Sequence, residues 1–124
     1  MEITTFNPQI VTKDAEAIAT FFEELGFERR HNRENVGEYG VRGIRMKDAN
    51  GFYLDISQPK GYDGPDATGI RMNVRDFDEA YDLLISSGFK NVYGDDSVKT
   101  ESSKSAFLIA PSGFGINLIE HVRR

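Results

Sequence analysis

Apolar and polar residues alternate along this chain in short runs, interrupted twice by a helical period. Phe52, Leu54 and Ile56 alternate with Tyr53, Asp55 and Ser57, the period of two that places one set on each face of a strand. Ile70, Met72 and Val74 alternate in the same way with Gly69, Arg71 and Asn73, and Ile116 and Leu118 with Gly115, Asn117 and Ile119. Residues 39–48 and 105–110 read as the strands before these, and 27–33 and 89–93 as the strands that follow each helix. The helices open at Asp14 and Asp76, whose carboxylates suit the free first-turn amides, and stop at Gly26 and Gly88. Their apolar stripes are read as Ile18, Phe21, Phe22 and Leu25 in one and Phe77, Ala80, Tyr81 and Leu84 in the other.

The two helices are related by a constant shift. Asp14 and Asp76, Gly26 and Gly88, and Gly51 and Gly113 are each 62 residues apart, half of the 124-residue chain. Three landmarks at one offset mark an internal duplication. The expected architecture is α+β, with two βαβββ repeats forming a curved mixed sheet around a cavity. Residues 1–124 are read as one domain, with repeat one at 1–58, a Pro/Gly/Asp linker at 59–66 and repeat two at 67–124. The helices would cover the outside of the sheet, leaving the more polar alternate residues on the inside, where a small ligand would sit.

Composition narrows the classes of function. The absence of cysteine excludes disulfides, thiolate metal sites and cysteine nucleophiles, and suits a reducing cytoplasm. A net charge of −5 disfavours nucleic acid as a partner. Arg29, Arg30 and Arg33 are bracketed by Glu28 and Glu34 and read as a solvated strand edge. No run approaches a membrane span, and Met1–Thr5 lacks the regions of a signal peptide, so a cytoplasmic protein with no membrane partner is expected.

The signatures Asp14…Phe21-Phe22-Glu23-Glu24-Leu25-Gly26-Phe27 and Asp76…Gly88-Phe89, with the Ala110-Pro111-Ser112-Gly113-Phe114 turn, resemble the vicinal oxygen chelate superfamily. That group includes glyoxalases, bleomycin-resistance proteins and extradiol dioxygenases, and the resemblance runs from Phe6 to Glu120. It implies a glyoxalase-like fold and, by the habit of the bleomycin-resistance branch, a homodimer. Metal-using members place a ligand seven residues before each capping Asp and another in the last strand of each repeat. Those places hold Asn7, Gly69, Asp55 and Asn117 here. One carboxylate, two carboxamides and a bare backbone are a poor set for a divalent ion, which wants about three strong donors. His31 and His121 do not supply the missing ligands, and no metal or other cofactor is expected.

The candidate ligand-binding residues are therefore Asn7, Gln9, Tyr53, Asp55, Arg71, Asn73 and Asn117. Arg71 supplies a cation for a small anionic or carbonyl-bearing ligand, or else pairs with Asp55. The carboxamides of Asn7 and Gln9 serve a ligand or bridge strands, and Asp55 and Asn117 occupy matched places. Arg45 either lines the cup with Tyr53 or, the favoured reading, stands on its rim, and Tyr39, Tyr62 and Tyr93 are read as packing or interface residues near turns. Ser102, Ser103 and Ser105 read as a loop with no histidine nearby, and Asp55 has no partnered acid, so no catalytic residue is assigned. The leading expectation is a small-molecule-binding protein that sequesters a drug or metabolite. The alternative is a metal-dependent lyase or dioxygenase with an atypical ligand set around Asp55. A third reading is an assembly domain whose cup is filled by its own side chains.

Overall fold

The computed structural model describes residues 1–36, 41–92, 94, 98–99 and 103–121. The chain forms two units, Asn7–Thr68 and Met1–Phe6 with Gly69–Arg124. The first strand, β1 (Ile3–Val11), contributes its opening residues to the second unit and the rest to the first.

In the first unit β1 is followed by α1 (Ala15–Glu24), β2 (Glu28–Val36), β3 (Val41–Lys47) and β4 (Tyr53–Gln58). The strand order is β2-β3-β4-β1, antiparallel except for the β4–β1 pair. Helix α1 covers one face, where Ala15 and Ala19 pack with Ile44, Met46, Leu54 and Ile56, and with Ile10, Ile18, Phe22 and Phe27 around them.

The second unit repeats the plan with β5 (Ala67–Val74), α2 (Phe77–Ser86), β6 (Lys90–Asn91), β7 (Val98–Lys99), β8 (Ser103–Ile109) and β9 (Gly115–His121). Strands β5 and β9 are parallel, while β8 pairs antiparallel with β9, β6 and β7. Its core joins Phe77 and Ala80 of α2 to Met72, Val74, Ala106, Leu108, Ile116 and Leu118.

The duplication extends to individual hydrogen bonds. Each capping aspartate accepts from the third helical amide, Asp14 from Ala17 and Asp76 from Glu79, both at 3.1 Å. Each first helical amide donates to a side chain of the strand parallel to the one before its helix, Ala15 to Gln58 Oε1 of β4 at 2.8 Å and Phe77 to Glu120 Oε1 of β9 at 2.6 Å. Glu16 of α1 pairs with Arg42 of β3, and the residues 62 positions on, Asp78 and Lys104, pair at 2.6 Å. The last two contacts tie each helix to its sheet at equivalent points. Glycines stop both helices in the left-handed region, Gly26 at φ 104° and Gly88 at φ 96°.

Some sequence expectations are corrected. Phe21 and Leu25, read as part of the α1 stripe, are 54% and 59% exposed, and the buried face is Ala15, Ile18, Ala19 and Phe22. Those are the positions 62 before Phe77, Ala80, Tyr81 and Leu84, with large and small residues exchanged at the first three. Phe52 precedes β4 rather than opening its apolar face and is 66% exposed. The strand after α2 is two residues long where 89–93 was expected. Ser103 and Ser105 lie in β8 rather than in a loop, while Ser102, Tyr39 and Tyr93 lie outside the described residues.

Candidate functional site

The face of the first unit turned away from α1 is polar. Since Ile44 and Met46 of β3 and Leu54 and Ile56 of β4 point to the helix, strand alternation sends Arg45, Lys47, Tyr53 and Asp55 the other way. On β1, Gln9 lies in register with Asp55, and Asn7 stands two residues before it on the same side. Asn7, Gln9 and Asp55 are all buried, Gln9 to 2% exposure.

Asp55 is the hub of this face. Its Oδ2 accepts from Asn7 Nδ2 at 2.7 Å and from Arg45 Nη1 at 2.6 Å. Arg45 Nη1 also lies 3.5 Å from Asn7 Oδ1, closing a three-residue network. The guanidinium carbon of Arg45 stands 4.1 Å from the Tyr53 ring centroid, and Lys47 Nζ is 5.2 Å from the same ring. The side chains of Arg45 and Asp55 are only 15% and 10% exposed, so the pair is largely out of water and the hydrogen bonds define its geometry. Arg45 is thus not a rim residue. The cross-strand register pairs Arg45 directly with Asp55, because β3 and β4 are antiparallel here. The signal available in the sequence was the turn at residues 48–52 between two alternating strands, which fixes that register.

The second unit holds the other expected residues. Arg71 is in register with Asn117 on the parallel β5–β9 pair, and its Nε donates to Oδ1 of the buried Asn73 at 3.1 Å. Gly69 faces Gly115, and a Cβ on Gly69 would lie 2.6 Å from the Gly115 carbonyl oxygen. A Cβ on Gly115 would in turn lie 2.6 Å from the Phe107 ring. Position 69 therefore has no room for a side-chain ligand.

The donor set does not fit a catalytic divalent ion. The carboxylate of Asp55 is already held by a guanidinium and a carboxamide N–H, both of which compete with a metal for its lone pairs. Asn7 turns its N–H toward Asp55, and Gly69 offers backbone alone. Among the described residues no group of three or more His, Cys, Asp or Glu stands together as a metal site. Among them, too, no helix is long and apolar enough to cross a membrane.

No family model matches the sequence, and no curated protein matches it. Solved structures do. A methylmalonyl-CoA epimerase from Streptomyces coelicolor in complex with 2-nitronate-propionyl-CoA is 22% identical, with a TM-score of 0.69 over 98% of this chain and 100% of the other. The epimerase from Mycobacterium tuberculosis is 18% identical, with a TM-score of 0.67 over 98% and 90%. A glyoxalase/bleomycin resistance protein/dioxygenase superfamily member from Vibrio splendidus is 16% identical, with a TM-score of 0.61 over 96% and 99%. Near-complete mutual coverage at such low identity is a likeness of fold. The chain accordingly has an α+β, glyoxalase-like fold.

Proposed function

We propose that the protein binds a small molecule on the polar face of its first unit, without a metal ion and without an assigned chemical transformation. The observation that carries this reading is the buried Asn7–Asp55–Arg45 network beside Tyr53. Buried polar groups are costly unless satisfied, and a sheet face needs none of them for stability. A set of carboxamides, a fixed guanidinium and a phenol ring is suited to orienting a ligand by hydrogen bonds and stacking. Sequestration of a drug or metabolite by a homodimer belongs to the same proposal, on the resemblance to the bleomycin-resistance branch. The epimerase neighbours share the fold, and their reaction is not transferred.

A thermal-shift screen of glycopeptide drugs and of charged and neutral metabolites tests it, run on the intact protein and on Arg45→Lys. A compound that raises the wild-type Tm and loses most of that shift in the variant supports the proposal. No stabiliser at millimolar concentration, or one stoichiometric divalent ion in protein purified without chelator, contradicts it.

A further inference from the structure

Duplicated positions expose what is special about the first unit. Arg45, Tyr53 and Asp55 correspond, 62 residues on, to Phe107, Gly115 and Asn117. In the second unit the Phe107 ring lies where a side chain on residue 115 would begin. In the first unit the same two places hold a cation stacked on a ring. One copy of the fold is thus closed by hydrocarbon, and the other presents a guanidinium fixed by contacts on one edge and one face.

We infer that the Arg45 guanidinium is the anion receptor of the polar face of the first unit, taking a small monocarboxylate. The inference rests on the proposed binding function and adds the ligand's charge and the group that reads it. Among the described residues, Arg45 spends one nitrogen, Nη1, on Asp55 and Asn7. A guanidinium has five N–H donors in a planar fork, so hydrogen-bonding capacity remains for a second carboxylate. The Tyr53 ring and Asp55 hold the plane still, which lowers the entropy lost when a ligand docks.

Charge selects a monoanion. Arg45 and Lys47 both lie over Tyr53, and Asp55 is the carboxylate joined to Arg45. Lys47 makes no ion pair among the described residues, although the exposed Glu28 is its cross-strand neighbour in register. Asp55 and Glu28 together offset these two cations, so each added negative charge is uncompensated and a monoanion is less costly than a dianion. A dianionic phosphate would face the Asp55 carboxylate across a shared guanidinium.

The test uses benzoate and its uncharged isostere benzamide, titrated into the intact protein, with the side-chain resonances of Asn7 and Arg45 followed by NMR. Benzoate is expected to move both sets of signals and to bind about tenfold or more tightly than benzamide. Arg45→Lys keeps the charge but loses the fork, and is expected to cost about tenfold in benzoate affinity with little change for benzamide. The double variant Arg45→Met/Asp55→Leu removes both charges without leaving either one buried alone, and is expected to abolish the preference for benzoate. Equal affinity for benzoate and benzamide at these residues overturns the anion inference while leaving the binding face intact. Failure of both compounds to move the Asn7 and Arg45 signals overturns the inference, while the binding proposal falls only if the thermal-shift screen finds no stabiliser. Benzoate affinity unchanged in Arg45→Lys also overturns it.

Discussion

The two units share a scaffold and differ in what it presents. Their helices are capped by equivalent aspartates, tied by equivalent strand residues and cross-braced by equivalent ion pairs. On the opposite face the equivalence ends. Asn7, Gln9, Arg45, Tyr53 and Asp55 in one unit correspond to Gly69, Arg71, Phe107, Gly115 and Asn117 in the other. The first is a polar network around one carboxylate, and the second brings two glycine backbones together beneath a phenyl ring. The contacts that build the fold have kept their chemistry in both copies, while the residues facing away from the helices have not. That separation is what lets one scaffold carry different sites.

The strongest way to break the comparison is at its hub. Asp55→Leu leaves the Arg45 cation largely buried without its carboxylate and is expected to cost about 3 kcal/mol of stability in urea unfolding. Asn117→Leu, at the equivalent place, exchanges a neutral amide and is expected to cost about 1 kcal/mol. Equal losses would mean that the two faces are not energetically distinct. Gly69→Ala is next, because its Cβ would meet a backbone oxygen at 2.6 Å rather than a movable side chain. About 2 kcal/mol is expected. Gly115→Ala meets the end of the Phe107 ring instead, so its loss should be recovered in large part by Phe107→Leu in the same chain. Additive losses for that pair would show that the ring is not what fills the place of residue 115.

Smaller effects probe what the units share. Gln58→Ala and Glu120→Ala each remove the acceptor of a first helical amide, and each is expected to cost about 1 kcal/mol. The smallest effect is one of pH. Hydrogen bonds from Arg29 and Arg42 lower the Glu16 pKa from 4.5 to about 2. A carboxylate depressed on folding stabilises the folded state above its unfolded pKa, and that stabilisation is lost as pH falls from 4.5 toward about 2. Glu16→Gln should flatten the acid limb of the stability curve in that window, and salt should mute the difference because the pair is exposed.

The fold was legible because its determinants are local and repeated. The aspartate caps, the glycine stops and the 62-residue offset all survive in the structure. The same offset contained the correction to α1. Applied to Phe77, Ala80, Tyr81 and Leu84 it selects Ala15, Ile18, Ala19 and Phe22, whereas hydrophobicity alone favoured the larger Phe21 and Leu25. Alanine marks close helix–sheet approach, and a stripe read by size overlooks it. Of the site, the inward amides and Asp55 were legible from strand alternation. Arg45 was set at the rim rather than in the site because its place depends on cross-strand register, which brings residues 45 and 55 together only once the turn between them is placed. The closure at Gly69 was invisible for a related reason: it comes from Gly115 across a parallel pair, far away in sequence.

The central claim is that a guanidinium, not a metal, organises the polar face of the first unit. Titrating Mn²⁺ into the intact protein, with the amide signals of Asn7 and Asp55 recorded by NMR, tests it directly, because a bound paramagnetic ion broadens its neighbours. The account predicts no saturable broadening centred on those two residues. One-to-one broadening localised at Asn7 and Asp55 would contradict it.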